Sequence, residues 1–440
     1  MPPIAITPDG EKVSDLTATG IQDALKKTAP SQIDVASLTS TTSKDNATTP
    51  ATLAELDASL LQCTYATSEN LLPLPNLNNP SDPAWRQSTD HMIQAKWNTS
   101  TGWSAPTLSP YGPLTLSPMA SCLHYATECF EGMKLYRGHD GKLRLFRPLL
   151  NCERMLRSTT RIALPGFRPQ ELLKLIAKLC ATDGKRWLPV TQPGRFLYIR
   201  PTMIGTEAAI GIQRPNEALL YIFLTVLPTL DSQPEGSKLL ASQDDMIRAW
   251  PGGFGYAKVG ANYGPSLVAQ GEARKRGYDQ ILWLFGEECV VTEAGAANFF
   301  VVWRTRQGEL QLVTASLEKR IVLEGVTRKS VIELARSKLS ASAAAEIGLE
   351  ALEVVERDFT MKEIVDAASE GRLVEAFSAG TAWFIAPVGS IHFRGKDIEV
   401  PLKKGTAGEY TELLKGWLKG IMWGSDGWEG HEWGHVVDEK

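Results

Sequence analysis

The 440-residue sequence predicts an α+β protein with two domains behind an N-terminal extension. Segments with alternating apolar residues, typical of strands, are interspersed with segments whose apolar residues recur every three or four positions, typical of helices. Turn-forming residues concentrate at 228–237 and separate two groups of such segments. The predicted parts are an N-terminal extension at 1–84, a small domain at 85–228, a linker at 229–237 and a large domain at 238–440.

The composition argues against several classes of protein. A formal net charge of −4 with both signs interspersed does not suggest the basic face of a nucleic-acid binder. No apolar run approaches the roughly 20 residues that span a bilayer, so a membrane protein is not expected. Residues 1–70 contain nine acidic residues, four lysines and no arginine, the opposite of a mitochondrial transit peptide, so a cytoplasmic location is expected.

The N-terminal extension and the first domain have separate signals. A segment dense in Ser and Thr, 31–52, is predicted to be a mobile arm, and a short helical patch is predicted at 52–61. In the first domain the predicted strands are 143–146, 195–200 and 218–226, and the predicted helices are 151–162 and 169–180.

The second domain repeats this mixture of strands and helices. Its predicted strands are 238–242, 280–285, 298–303, 310–314, 351–355 and 382–387, and its predicted helices are 266–276 and 325–339. No period of 20 to 50 residues repeats, so a solenoid or propeller is not expected.

One stretch, 252–265, carries a single lysine, Lys258, among five glycines. Glycine lets the backbone approach a bound group closely. A lysine amine held in a dry site can lose its proton near neutral pH and condense with an aldehyde, which is the covalent chemistry of pyridoxal phosphate enzymes. Lys258 is therefore a candidate pyridoxal phosphate lysine.

That cofactor also needs an acid at its pyridine nitrogen and an anion site for its phosphate. Glu293 lies where an apolar strand runs into small residues, and it is the candidate acid, although a strand-end glutamate in solvent is the alternative for a Glu taken alone. The amides of Val326 and Thr327 open a predicted helix and would point into an anion site. Thr381 and Arg154 could add a hydroxyl and charge-assisted hydrogen bonds.

Several blocks of sequence, in the same order, resemble the branched-chain amino acid aminotransferases, which are class IV aminotransferases. The blocks are Leu123-His-Tyr, Phe130-Glu-Gly-Met-Lys134, Arg144-Leu-Phe-Arg-Pro148, Tyr198-Ile-Arg-Pro201, Lys258-Val-Gly-Ala-Asn-Tyr263, Thr292-Glu293 and Gly380-Thr381-Ala382. The resemblance runs from about residue 89 to the C-terminus. It implies a fold-type IV pyridoxal phosphate enzyme, with a smaller α/β domain and a larger pseudo-barrel domain.

The resemblance also implies roles for individual residues. Lys258 would be the Schiff-base lysine and general base. The implied cofactor contacts are Arg154, Lys258, Tyr263, Glu293, Val326, Thr327 and Thr381, and the implied substrate contacts are Phe130, Tyr198, Arg200 and Ala382. The family's active site is completed by a second subunit, so a homodimer is expected, in which Tyr125, Ile210 and Ile212 would come from the partner.

The implied reaction transfers amino groups between leucine, isoleucine or valine and 2-oxoglutarate, giving branched-chain 2-oxo acids and glutamate. Three features depart from the family pattern: Ala296 stands where many relatives have threonine, Ala257 replaces an aromatic residue, and Trp383 and Ala386 replace the Cys-x-x-Cys of the animal enzymes. They leave open a transaminase of the same fold with another substrate, such as a D-amino acid or a secondary-metabolic 2-oxo acid. An aminodeoxychorismate lyase and a non-catalytic scaffold are further alternatives.

A different class of function is suggested by 431–435, His-Glu-Trp-Gly-His, which fits the His-Glu-x-x-His zinc protease pattern. That pattern needs a stable helix that presents both histidines, with a third ligand downstream. Gly434 interrupts the segment and only five residues follow His435. No metal site is therefore predicted here.

Overall fold

The computed structural model describes residues 53–76, 87–227, 235–382, 384–403, 406–425 and 427–439. Residues from Leu53 to the C-terminus form one compact unit. The predicted arm at 31–52 and most of the predicted linker lie outside the described residues.

The first sheet is built mainly from the first half of the chain. Its first nine strands are β1 (Gln62–Cys63), β2 (Ser88–Asn98), β3 (Gly102–Trp103), β4 (Thr107–Pro110), β5 (Glu128–Phe130), β6 (Met133–Arg137), β7 (Leu143–Phe146), β8 (Phe196–Gly205) and β9 (Glu217–Thr225). The strand order is β1-β4-β2-β9-β8-β6-β7, with β3 paired to β2 and β5 paired to β8. Nearly every residue of β8 and β9 is buried or half-buried, as expected for central strands.

The second sheet closes on itself. Its strands are β10 (Ser237–Ala241), β11 (Gln280–Phe285), β12 (Val290–Ala294), β13 (Ala297–Arg304), β14 (Leu310–Thr314), β15 (Glu353–Glu356), β16 (Leu373–Gly380), β17 (Phe384–Phe393) and β18 (Lys396–Glu399). The order is β12-β11-β10-β17-β16-β13-β14-β15, and β12 also pairs with β13. That extra pairing joins β10, β11, β12, β13, β16 and β17 into a closed ring, which confirms the expected pseudo-barrel.

Helices cover the sheets. They are α1 (Ser121–Tyr125), α2 (Pro148–Arg161), α3 (Pro169–Trp187), α4 (Ser266–Lys275), α5 (Val326–Lys338), α6 (Ala341–Glu346), α7 (Met361–Ser369) and α8 (Glu409–Trp423). Proline in the first turn of α2 and of α3 suits a helix start, because its missing N–H has no intrahelical partner there. None of the described helices is long and apolar enough to cross a membrane.

The final strand, β19 (Gly434–Val437), returns to the first sheet and pairs antiparallel with β7. At the other end of the chain, β1 pairs with β4 of the same sheet although it belongs to the predicted extension at 1–84. The division into a small domain at 85–228 and a large domain at 238–440 stays a prediction.

Most predicted elements are confirmed with shifted ends. The helix predicted at 169–180 continues to Trp187, and the strand predicted at 382–387 runs instead from Phe384 to Phe393. The helical patch predicted at 52–61 is wrong over its described part, where only Ala58–Leu60 forms a 3-10 turn. Leu56 is buried there whereas Leu53 and Leu60 are exposed, so the leucine spacing does not produce one packed helical face.

Candidate active site

A cavity of about 430 Å³ lies where β5, β8, the Lys258 loop and the N-terminus of α5 meet. Every residue predicted for the site lines this cavity except Tyr125, Ile210 and Ile212. The lining includes Phe130, Arg154, Tyr198, Arg200, Lys258, Tyr263, Glu293, Val326, Thr327, Thr381 and Ala382. The structure thus brings together residues that are up to 252 positions apart in the chain (130 to 382).

The backbone of Lys258 is fixed from two sides. Its N–H donates to Oγ of Ser158 on α2 at 2.8 Å, and its carbonyl accepts from the N–H of Phe130 at 3.1 Å. The side chain remains directed into the cavity, where Nζ donates to the Tyr263 hydroxyl at 3.0 Å and lies 4.9 Å from the centroid of the Phe130 ring. The amine therefore lies near two aromatic rings, on a loop whose backbone is hydrogen-bonded on both sides of Lys258.

Glu293 lies in the cavity wall near the end of β12 and is only 2% exposed. Gly295 makes the following turn possible, because its φ is +58° and a Cβ there would lie 1.9 Å from Oε1 of Gln280. The resulting hairpin pairs Glu293 with Asn298. Oε1 accepts from the N–H of Leu323 at 3.0 Å and from Nδ2 of Asn298 at 3.2 Å.

The second carboxylate oxygen of Glu293 is placed differently. Oε2 lies 2.6 Å from Nε of Arg248, an ion pair in which both side chains are buried. Within the described part of the chain, Oε2 is a buried atom that accepts no hydrogen bond of favourable geometry. Burial raises the pKa of the Glu293 carboxyl, and the Arg248 guanidinium opposes that rise. The two hydrogen bonds from neutral groups thus end on Oε1, whereas Oε2 makes the contact with the Arg248 guanidinium.

The N-terminus of α5 lies at the cavity, where the sequence predicts an anion site. Val326 and Thr327 are buried first-turn residues whose amides have no intrahelical acceptor, and the preceding Gly325 offers no side-chain cap. A Cβ on Gly325 would lie 2.1 Å from Oδ1 of Asn298, so only glycine fits beside that amide. The free amides and the helix dipole together favour an anion.

Arg154 lies at the same end of the cavity and is 4% exposed. Its Nε and one terminal nitrogen donate to Glu131 at 2.7 and 2.8 Å, and the other terminal nitrogen donates to the carbonyl of Glu324 at 3.0 Å. A guanidinium has five N–H donors. Two therefore remain after these three contacts, and Arg154 can contribute to an anion site without losing its buried partner.

Arg200, Tyr198 and Phe130 form the other wall of the cavity. The Arg200 guanidinium lies 4.6 Å from the Phe130 ring centroid and 5.3 Å from that of Tyr198, while its Nε is a buried donor with no acceptor among the described residues. Gly132 lets Tyr198 approach, because a Cβ there would lie 1.9 Å from the Tyr198 hydroxyl oxygen. This wall combines apolar rings with one guanidinium able to receive an anion.

Thr381 and Ala382 occupy the turn after β16. The carbonyl of Ala382 accepts from Nζ of Lys134 at 2.9 Å, and the Lys134 ammonium also lies 4.1 Å from the centroid of the Phe196 ring. Burial lowers the pKa of Lys134 to about 8. Lys134 thus ties the turn of the second sheet to β6 of the first. Trp383 lies outside the described residues.

Tyr125, Ile210 and Ile212 do not reach the cavity of their own chain. They lie on the surface, with Ile210 59% exposed and Ile212 97% exposed. The N–H of Ser121 on α1 donates to the carbonyl of Glu207, which places the loop of the two isoleucines beside α1. Exposed Leu123 and Met119 belong to the same region. The three predicted residues therefore share a surface.

Three charged residues of the site were not predicted from sequence: Glu131, Arg248 and Lys134. Glu131 and Lys134 belong to a block quoted for its resemblance, but nothing local indicates that their partners are Arg154 and the Ala382 carbonyl. Arg248 precedes Lys258 by ten residues, and no local sequence pattern marks it as a site residue. Their contacts depend on long-range pairing.

The His-Glu-x-x-His segment does not form a helix. His431 lies in a turn, where it packs against the rings of Trp428 and Trp433, and His435 belongs to β19. The two histidines consequently lack the helical spacing that a zinc protease needs.

The cavity fits pyridoxal phosphate in its donor set. A lysine amine, a buried carboxylate and a helix N-terminus beside an arginine all line this one cavity. The amine could attach the cofactor, the carboxylate could hold the proton of the ring nitrogen, and the helix end could bind the phosphate.

Comparisons with known proteins agree with this chemistry. Residues 128–391 match the family described as Amino-transferase class IV. The chain is 44% identical over 340 residues to the mitochondrial branched-chain-amino-acid aminotransferase of Schizosaccharomyces pombe, covering 77% of each chain. It is 41% identical over 391 residues to the cytosolic enzyme of Saccharomyces cerevisiae, covering 88% of this chain and 99% of the relative.

A solved structure is similar as well. It is the branched-chain aminotransferase of the thermophilic archaeon Thermoproteus uzoniensis with norvaline, with a TM-score of 0.59, 25% identity, and coverage of 79% of this chain and 100% of the other. Fold, family match and identity over most of the chain agree. This protein is an enzyme that belongs to the branched-chain-amino-acid aminotransferase family of class IV aminotransferases.

Proposed function

We propose that this aminotransferase uses pyridoxal phosphate to exchange amino groups between branched-chain L-amino acids and 2-oxoglutarate. The observation that carries the proposal is the shared cavity of Lys258, Glu293 and the α5 N-terminus. When bound, pyridoxal phosphate supplies an aldehyde that takes up an amino group and a ring that withdraws electrons from the substrate α-carbon.

The residues of the chain have separate tasks in this proposal. Lys258 would hold the aldehyde carbon of the cofactor, and its amine would serve as the general base for the substrate α-proton. The Tyr263 hydroxyl accepts a hydrogen bond from Lys258 Nζ at 3.0 Å and would orient that amine. Glu293 would hold a proton on the ring nitrogen. The amides of Val326 and Thr327, with Arg154 and Thr381, would bind the phosphate.

The substrate wall, formed by Phe130, Tyr198 and Arg200, supports the proposed use of both branched-chain amino acids and glutamate. Phe130 offers an apolar ring to a branched side chain, whereas the Arg200 guanidinium, which also lines the cavity, would donate to the distal carboxylate of glutamate. The turn at Thr381 and Ala382 would receive the substrate α-carboxylate. The similar Thermoproteus uzoniensis structure contains norvaline, an amino acid with an aliphatic side chain, which supports an aliphatic amino acid as one substrate.

The proposal includes a homodimer. Tyr125, Ile210 and Ile212 are exposed on one surface, and large exposed apolar groups of this kind mark interaction sites. A second copy of the chain, seated there, would bring these side chains to the substrate wall of its partner.

The cofactor part is tested by absorbance. Purified protein reconstituted with pyridoxal phosphate should show a visible band that Lys258→Ala abolishes, while Lys275→Ala, an exposed lysine of α4, keeps it. A wild type that stays colourless after reconstitution would refute the proposal.

The substrate part is tested by rates against 2-oxoglutarate for a panel of amino acids, including branched, aromatic, longer-chain and D-amino acids. Leucine, isoleucine and valine should give the highest kcat/KM. A single methylene is worth only about 1–3 kcal/mol of discrimination, so neighbouring aliphatic substrates should react more slowly rather than not at all. Preference for a D-amino acid would overturn the branched-chain assignment.

A further inference from the structure

The buried Glu293 carboxyl needs a nearby cation to stay ionised, and its two hydrogen-bond donors are neutral. A buried carboxyl without a cation takes up a proton, because burial disfavours the charged form. The two hydrogen bonds to Glu293, from Leu323 N–H and Asn298 Nδ2, come from neutral groups and both end on Oε1. A nearby cation is needed to keep the carboxylate charged.

Among the described residues, the cations that act electrostatically on Glu293 include Arg248, Lys258, Arg154 and Arg328. Three of them are engaged elsewhere. Arg154 forms a two-bond pair with Glu131, Arg328 donates to Glu356 at 2.9 Å, and Lys258 is the reacting amine itself.

Arg248 is the cation in direct contact. Its Nε lies 2.6 Å from Oε2, and its side chain is 6% exposed. A terminal nitrogen of the same guanidinium donates to the carbonyl of Ile321 at 3.3 Å, in the segment that leads to Leu323. One guanidinium thus contacts both the carboxylate and the backbone segment that hydrogen-bonds to it.

We propose that Arg248 is a positioning residue that keeps Glu293 ionised and oriented, so that Glu293 can hold a proton on the ring nitrogen of pyridoxal phosphate. The proposal rests on the cofactor assignment above. Arg248 acts through Glu293 and is not itself in the described cavity lining. In its absence the shared proton moves from the ring nitrogen to the carboxyl.

The direct test follows the ring nitrogen in the holoenzyme by ¹⁵N NMR with pyridoxal phosphate labelled at that nitrogen. The variants are Arg248→Met, Arg248→Lys and, as the unprotonated reference, Glu293→Gln. Arg304→Met is the matched control, because Arg304 forms a pair of equal length, 2.6 Å, with Glu350, but on the surface. Each protein is also titrated with the cofactor.

Wild type, R304M and R248K should show the upfield signal of a protonated pyridine nitrogen. R248M should move toward the position of E293Q and bind the cofactor at least roughly tenfold more weakly, because removing one member of a buried pair leaves the other uncompensated. A wild-type nitrogen signal in R248M would overturn the proposal, and so would an unprotonated nitrogen in wild type.

A second measurement, of stability against pH, needs no cofactor. It tests the proposal even if R248M does not bind pyridoxal phosphate. Without Arg248 the folded-state pKa of Glu293 rises further, so the folded state binds protons more strongly than the unfolded chain and gains stability as pH falls. From pH 8 to 5.5, R248M should therefore gain more stability relative to R248M/E293Q than the wild type gains relative to E293Q. Equal gains in the two comparisons would overturn the proposal.

These outcomes separate the two proposals. If wild type and every variant fail to bind pyridoxal phosphate, the cofactor assignment fails, while the pH profiles still report whether Arg248 controls the charge of Glu293. If the wild type binds the cofactor and R248M keeps a protonated ring nitrogen, only the role of Arg248 fails.

Discussion

At the scale of single residues, Lys134 shows how a buried contact at the site affects stability. Its pKa is lowered to about 8 by burial, whereas a lysine of an unfolded chain keeps a pKa near 10.5. The folded state therefore binds fewer protons between these values, and the protein gains stability as pH rises from about 8 to 10.5. At about 1.4 kcal/mol per pKa unit, the gain is roughly 3 kcal/mol.

Lys134→Met should remove this pH dependence. The free energy of unfolding of wild type minus that of the variant should increase by up to roughly 3 kcal/mol between pH 7.5 and 10.5, measured by urea titration. Lys142→Met, at an exposed lysine near the same strands, should leave the wild-type profile unchanged. A constant difference between wild type and Lys134→Met would contradict the argument.

For Glu131 the pH dependence is expected at the acid end of the range, where its contribution to stability is lost. Burial tends to raise the pKa of Glu131, but the paired Arg154 guanidinium and Lys258 more than offset it, so the net pKa lies below 4.5. The stability that this carboxylate contributes is present above pH 4.5 and is lost as pH falls below it. Glu131→Gln should thus lower the free energy of unfolding by roughly 3 kcal/mol at pH 7.

That difference should begin to narrow at pH 4, because the wild type starts to lose its contribution below pH 4.5 and the variant has none to lose. Urea titrations at pH 7 and pH 4 measure the difference in free energy of unfolding. The control is Glu153→Gln, at a half-buried glutamate of α2. A difference that widens at pH 4 would count against the pairing of Glu131 with Arg154.

Which site residues the sequence could predict depends on how local their signals are. Lys258 was predicted from the glycines around it, and Val326 and Thr327 from the helix that follows. Arg248 pairs with Glu293, 45 positions away, and Glu131 pairs with Arg154, 23 positions away. Neither pair falls within one short sequence motif, so a motif that includes one of these residues does not indicate its partner.

At the scale of elements, periodic segments were predicted well and irregular ones were not. α5 and β14 have regular apolar spacing and were found almost to the residue. β2 was missed because its 11 residues include Thr89, Asp90 and His91, which are polar yet buried. Asp90 is satisfied by Arg186 and Trp187, and His91 by Asp183, partners on α3 that the sequence pattern does not reveal.

Besides its backbone hydrogen bonds to β7, the C-terminal segment that contains β19 is fixed by an ion pair. Two terminal nitrogens of Arg137, whose side chain is fully buried, donate to Glu439 at 2.7 and 2.8 Å. Glu439→Gln should destabilise the protein by roughly 3 kcal/mol, because a buried guanidinium loses its counter-charge. Glu350→Gln, in the exposed pair with Arg304, should change stability by less than about 1 kcal/mol. Chemical unfolding measures the free energy of unfolding of both variants. Equal losses in the two variants would contradict the stabilising role of the pair between Arg137 and Glu439.

At the scale of the whole molecule, the closed ring of six strands was expected from the family and not from the pattern. The ring depends on β12 pairing with both β11 and β13, and the tight turn at Gly295 allows it. The same turn places Glu293 in the cavity wall. The turn at Gly295 therefore both closes the barrel and positions the candidate acid, Glu293.

The proposed dimer is tested at its most exposed apolar side chain. Ile212 is 97% exposed, so Ile212→Asp should leave the fold of each chain intact. In a dimer it would bury a charge without a partner, which should weaken association at least roughly tenfold. Sedimentation should show a shift toward monomer. The specific activity should fall with it, because the partner's residues no longer reach the substrate wall, while the cofactor absorbance of each chain remains.

Val190→Asp is the matched control for this charge. Val190 is 62% exposed and lies in the loop that follows α3, so the same substitution there should change neither association nor activity. Concentration separates the two possible origins of an activity loss in Ile212→Asp. If the site needs the partner, activity should recover as rising protein concentration restores the dimer. A fully dimeric Ile212→Asp, or a monomer as active as wild type, would show that this surface does not complete the site.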